Sequence, residues 1–161
     1  MLPIRTVLHP TDFSENSAFA LRLASSLARD YGGRLIVLHV APPAIVGYGE
    51  GAVPPEPEGY MDMLREQLHA LVSEKEAGVP VEYVLTEGET VPEILRVAEE
   101  RGCDVIVMGT HGRTGLGRVL LGSVAEQVVR RAPCPVVTAK APPGRPEASG
   151  ESAPAAAGEG G

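Results

Sequence analysis

Apolar residues in this chain gather into five short runs, and the stretches between them carry helical periodicity. Ile4 to His9 is β-branched and apolar and reads as a buried strand. Pro10-Thr11-Asp12 ends it, and Ser14 stands where it caps a helix from Glu15 to about Tyr31. Ala20, Ala24, Leu27 and Tyr31, at spacings of four, three and four, predict the core-facing stripe of that helix, and Gly32-Gly33 predicts its end. Leu35 to Val40 is a second strand. Tyr60, Leu64, Leu68, Leu71 and Val72 mark a second helix closed by Gly78, and Val79 to Thr86 is a third strand. Thr90-Val91-Pro92-Glu93 has the form of a capping box, opening a helix that ends near Arg101-Gly102. Asp104 to Met108 is a fourth strand. Ser123-Val124-Ala125-Glu126 is another capping box, opening a helix to about Arg131, and Pro135 to Lys140 is the last strand.

Strand and helix thus alternate along the chain, and the strands look apolar on both faces. That pattern predicts an α/β fold, a five-stranded parallel sheet with helices on both faces. Among the right-handed topologies, the order 3-2-1-4-5 sets the first and fourth strands side by side at a switch point. Ligands of open α/β sheets bind outside the carboxyl ends of the strands there. Two segments fall outside the pattern. Residues 41 to 57 hold five prolines and three glycines and read as a long irregular loop, a lid or a disordered segment. From Ala141 onward Pro, Gly, Ala, Ser and Glu dominate without a large apolar residue. Residues 1–140 are therefore expected to form one domain, and 141–161 a disordered tail.

Composition narrows the function classes. Of 161 residues, 43% are hydrophobic and 22% charged, ordinary for a globular chain. A net charge of −7 argues against nucleic acid, which requires a basic surface, so any anion site is a local positive pocket on an acidic molecule. Neither a signal peptide nor a membrane-length apolar run is visible, so a cytoplasmic location with no membrane association is expected. Cys103 and Cys134 are too few for a disulfide framework or a zinc site. They precede strands that should be neighbours, which leaves a redox-sensitive pair beside the plainer reading of buried hydrophobes.

The chemistry concentrates between Met108 and Val124, where Gly109, Gly112 and Gly122 precede Ser123 in a G-x2-G-x9-G-S arrangement. Glycine permits positive φ and lets a ligand approach bare backbone. Ser123 stands at a helix start, where free N–H groups and the positive dipole end attract anions. This is a recipe for holding phosphates and predicts a nucleotide binder. Thr11-Asp12 after the first strand and Gly109 after the fourth would meet in one crevice. Plainer readings stand beside this one. On these the glycines serve turns alone, Ser123 a helix cap, and Asp12 a turn bonding its own backbone. His9 and His39 read as packed, hydrogen-bonded histidines, and Arg130-Arg131 as the basic last turn of a helix. P-loop, dinucleotide and G-x-S-x-G fingerprints are absent from the sequence.

In Val7-Leu8-His9-Pro10-Thr11-Asp12-Phe13-Ser14, Leu38-His39-Val40, Met108-Gly109-Thr110-His111-Gly112, Gly122-Ser123-Val124 and Pro133-Cys134-Pro135-Val136-Val137, the chain resembles the universal stress protein family, in its ATP-binding branch, over roughly residues 3 to 140. The resemblance implies an adenine-nucleotide alpha-hydrolase-like fold, ATP or another adenine nucleotide in the crevice, magnesium on its phosphates, and a homodimer. By position it sets Asp12, next to Thr11, at the adenine and ribose end, and Val40 at the adenine edge. Met108 and Gly109 become the wall and turn beneath the nucleotide. Gly112, Gly122 and Ser123 become the phosphate cradle, with Val124 donating a backbone N–H. Arg113 is placed to add a charge-assisted bond. The sequence itself gives no ligand cluster for the metal, though magnesium commonly borrows phosphates and water.

The function expected is an ATP-binding regulatory protein of the stress response. The alternatives are slow ATP hydrolysis or adenylate transfer, with only His111 or Asp12 as base, and a dimeric scaffold without nucleotide. Dimerisation is expected through the edge Val136-Val137-Thr138-Ala139.

Overall fold

The computed structural model describes residues 3–43, 58–111 and 121–142. In chain order the elements are β1 (Thr6–Pro10), α1 (Glu15–Asp30), β2 (Arg34–Ala41), α2 (Tyr60–Ala70), α3 (Glu74–Ala77), β3 (Val81–Glu87), α4 (Thr90–Glu100), β4 (Val105–Gly109), α5 (Ser123–Arg131) and β5 (Val136–Ala139). The strands form one five-stranded sheet in the order β3-β2-β1-β4-β5, every neighbouring pair parallel. Class, strand order and switch point are those expected from the alternation of apolar runs. The expected loop at 41–57 and the tail at 141–161 fall largely outside the described residues, as do Gly112 and Arg113.

Successive strand residues serve opposite layers, because a strand's side chains alternate. Val7, Leu35, Val37, Val105 and Val107 pack with Ala20, Ala24 and Ala28 of α1 and Leu68 of α2. Leu8, Ile36, Leu38, Ile106 and Met108 pack with Ile94 and Val97 of α4 and with Ala125 and Val128 of α5. Two-sided burial holds for β1, β2 and β4. The edges differ, since β3 is half-buried over most of its length and β5 alternates. An edge strand has one neighbour, and its helix cover runs out with the sheet.

Four local expectations are corrected. The buried stripe of α1 is Ser17, Ala20, Leu21, Ala24, Ser25 and Ala28. Tyr31 is 46% exposed because the helix has ended before it and Ala28 takes the core position. The second helical stretch is two helices. Ser73 caps α3, accepting from the Glu76 N–H while the Glu76 carboxylate accepts from the Ser73 N–H, and this local bonding interrupts the longer helix. The expected capping boxes at Thr90 and Ser123 do not form. Both residues lie one position inside their helices, whose caps are Glu89 and Gly122 without side-chain cap bonds. Ser14 does cap α1, its hydroxyl accepting from the Ser17 N–H at 3.2 Å.

Candidate functional site

The site begins where the sheet comes apart. β1 and β4 are registered only as Val7–Val105 and Leu8–Ile106. Past that point the His9 side chain bridges the gap, its Nδ1 lying 2.8 Å from the Val107 carbonyl oxygen. A carbonyl only accepts, so Nδ1 carries the proton and Nε2 is left as a lone pair. Burial pushes the His9 pKa down to about 4, against the opposing pull of the Val107 bond and the Asp12 carboxylate. The ring is therefore neutral at pH 7. Its Nε2 is buried without a hydrogen-bond partner among the described residues.

Over this opening lies a cavity of about 470 Å³, within the size range of small-molecule sites. One side is the turn after β1 with the end of β2, presenting Thr11, Asp12, His39 and Val40. The other is the exit of β4 with the start of α5, presenting Met108 to His111 and Leu121 to Ala125. Thr90 and Ile94 of α4 close the apolar wall. Of the residues expected at the site, Thr11, Asp12, Val40, Met108, Gly109, Gly122, Ser123 and Val124 all line this one cavity. Gly112 and Arg113 lie outside the described residues. Segments about 97 residues apart in sequence meet here because the fold makes β1 and β4 neighbours.

The turn holding Asp12 is fastened from several sides. The Asp12 Oδ1 accepts from the Ser14 N–H at 3.0 Å, so the turn-forming role is real. The Thr11 hydroxyl oxygen accepts from the Phe13 N–H and from the Ser17 hydroxyl. Phe13 sits at a φ of +63°, a left-handed conformation costly for a bulky side chain, and stacks at a tilt against His39 with ring centroids 4.5 Å apart. His39 donates from Nδ1 to the Thr11 carbonyl at 2.8 Å. Both strand histidines are thus packed and hydrogen-bonded, as their positions suggested.

The glycines serve close approach, and neither Gly109 nor Gly122 has positive φ. A Cβ on Gly109 would lie 3.1–3.2 Å from backbone and Cβ atoms of Asn16 and Ser17 at the start of α1. One on Gly122 would lie 2.8 Å from the Thr110 carbonyl oxygen, which accepts from the Gly122 N–H at 2.6 Å. The crowding neighbours are protein backbone and the Asn16 Cβ, so packing of the chain on itself requires glycine at both positions while both still line the cavity. What faces the cavity at that end is the first turn of α5, Ser123 to Ala125. An α-helix leaves its first N–H groups without intrahelical partners and carries positive potential at that end.

Two contributors escaped the sequence reading, and the partner of a third did. Asn16 bonds to the exits of β4 and β5, Thr110 receives the Gly122 N–H, and His39 takes the Thr11 carbonyl of the Asp12 turn as its partner. Their partners are distant in sequence, so no local spacing reveals them. Among the described residues no group of three or more His, Cys, Asp and Glu side chains is arranged to hold a metal ion. Cys103 and Cys134 are free thiols just ahead of the amino ends of β4 and β5, and burial pushes Cys103 up to about 12 and raises Cys134. Both stay protonated at neutral pH and are weak nucleophiles.

Comparison with known proteins agrees with this architecture. The family model described as the universal stress protein family matches residues 3–140. Universal stress protein MJ0531 of Methanocaldococcus jannaschii is 34% identical over 145 residues, covering 86% of this chain and 83% of its own length. The solved structure of MJ0577 superposes with a TM-score of 0.70 at 26% identity, covering 89% of this chain and all of that one (100%). A universal stress protein from Archaeoglobus fulgidus in complex with dAMP matches at 26% identity and a TM-score of 0.63, over 87% of this chain and 100% of that one. A universal stress protein in complex with cAMP matches at 27% identity and a TM-score of 0.58, over 84% and 95%. The sequence match along the domain and the shared strand order lead to one conclusion: the chain belongs to the universal stress protein family.

Proposed function

We propose that this protein binds an adenine nucleotide, ATP in the first instance, and acts as a nucleotide-responsive regulatory protein of the stress response. The observation that carries the proposal is the meeting of the Asp12 turn and the open first turn of α5 on one cavity. Val40, Ile94 and Met108 offer an apolar wall for a base. Asp12, with one oxygen held by the Ser14 N–H, offers its other oxygen to ribose hydroxyls. Ser123, Val124 and Ala125 offer a hydroxyl and backbone amides to phosphates, with magnesium bound through those phosphates. The relatives solved with dAMP and with cAMP bind the same chemical class.

A cytoplasmic location and a homodimer paired through Val136–Ala139 complete the proposal. No helix among the described residues is long and apolar enough to cross a membrane, and β5 is a sheet edge.

Titration calorimetry with ATP tests the reading. Asp12→Asn keeps an oxygen for the Ser14 N–H and replaces the other with a neutral donor, so the turn survives while the ribose hydroxyls lose their charged acceptor. The wild type is expected to bind and Asp12→Asn to bind about tenfold or more weakly, the scale of one lost charged hydrogen bond. Equal affinities would remove Asp12 from the site, and no binding by the wild type would end the proposal.

A further inference from the structure

Resting on that nucleotide reading, we propose that Asn16 is the positioning residue that sets the two halves of the cleft at the spacing a phosphorylated ligand requires. The need arises from the sheet. Beyond the Leu8–Ile106 pair, β1 and β4 are no longer registered, so the ladder does not fix the Asp12 turn against the exit of β4. Asn16, the second residue of α1, spans that gap with both ends of its amide. Its Nδ2 donates to the His111 carbonyl at 3.4 Å, and its Oδ1 accepts from the Ala141 N–H at 3.0 Å. The exits of β4 and β5 are thereby tied to the helix that begins at the Asp12 turn.

The linkage continues to the anion-binding end. Thr110, beside His111, donates its N–H to the Ala139 carbonyl and accepts from the Gly122 N–H at 2.6 Å. Gly122 is the cap of α5. A short chain of bonds therefore runs from the Asp12 turn through Asn16, His111 and Thr110 to the first turn of α5. Gly109 makes it possible, because any side chain there would press against Asn16 and Ser17 within 3.1–3.2 Å. Only an amide side chain both donates to one carbonyl and accepts from one N–H at this length, which excludes alanine, leucine or aspartate as equivalents.

The consequence is selective. The apolar wall of Val40, Ile94 and Met108 stands on β2, α4 and β4, and the Asn16 amide bonds to His111 and Ala141 and to none of these three. The amides at α5 do depend on it for their distance from Asp12. Loss of Asn16 should weaken binding through the phosphates and spare binding through the base.

The test compares ATP with adenosine by calorimetry on the full-length wild type and Asn16→Ala. The variant is expected to lose about tenfold for ATP, the scale of a misplaced polar contact, while adenosine affinity stays within about twofold. Hydrogen exchange of the Ala141 and Gly122 amides should accelerate in the variant, with the β2 amides unchanged. If Asn16→Ala does not fold, the isosteric Asn16→Asp replaces it, with the same loss for ATP and with Ala141 protection retained. Wild-type binding with an unchanged ATP-to-adenosine ratio in the variant overturns the role of Asn16 alone. Equal weakening of both ligands does so too, since it marks a merely structural residue. No binding of either ligand by the wild type overturns the nucleotide reading and this inference with it.

Discussion

His9 is fully buried and sits where the two central strands part, and burial makes its protonation costly in the folded chain. Its folded-state pKa of about 4 lies below the ordinary 6.5, so between those values the unfolded chain takes up a proton that the folded chain refuses. Stability rises with pH across that window. Its contribution is complete above pH 6.5 and is lost as the pH falls towards 4. The full swing is on the order of 3 kcal/mol. Thermal melts between pH 7 and pH 4 should show that loss in the wild type. His9→Gln should be less stable throughout and lack this step, and a parallel decline would contradict the assignment. The residue scale is also where sequence reading reached its limit. Asp12, Gly109 and Gly122 were recognisable by position, but the reason for the glycines was not. The atoms that crowd Gly109 belong to Asn16 and Ser17, contacts that only the folded chain creates.

Helix starts separate what local spacing reveals from what it conceals. Ser14 is readable as a cap and is one, its extended backbone setting the hydroxyl to accept from the Ser17 N–H. Thr90 and Ser123, each with a Glu three residues on, carry the capping-box pattern yet lie one position inside, so their hydroxyls do not cap. In α5 the displacement has a use, because it leaves Ser123 lining the cavity instead of closing the helix end. The two serines should then behave oppositely. Ser14→Ala is expected to cost about 1 kcal/mol of stability in denaturant unfolding. Ser123→Ala should stay within about 0.5 kcal/mol of the wild type while weakening ATP binding. A large stability loss in Ser123→Ala would restore it to the role of a cap. The break between α2 and α3 belongs here as well. Ser73 and Glu76 satisfy each other over three residues, while the apolar stripe from Tyr60 to Val72 suggests unbroken helix.

At the scale of the whole molecule, strand order was legible because buried parallel strands announce themselves as continuous apolar runs and chain direction limits the crossovers. The edges were less so, since β3 and β5 have only one neighbour each and carry mixed patterns. Val137 on β5 and Val129 on α5 are 37% and 47% exposed, and a second copy pairing along Val136–Ala139 would cover this margin. Light scattering should find a dimer for the wild type and a monomer for Val137→Arg, and a monomeric wild type at high concentration would contradict pairing along this edge. The cleft end formed by the first turn of α5 belongs to the same scale. It exists because parallel strands all deliver their helix starts to one edge of the sheet, which also concentrates positive potential on a chain of net charge −7.

The central claim is that one ligand touches both sides of the separated strands. An amide-resolved NMR titration with ATP and magnesium tests it most directly. The account predicts that the largest shifts fall together, at a single dissociation constant, on Thr11 to Phe13 and on Ser123 to Ala125. Shifts confined to one of those two segments, or gathered at the opposite edge of the sheet around Arg5 and Arg34, would contradict it.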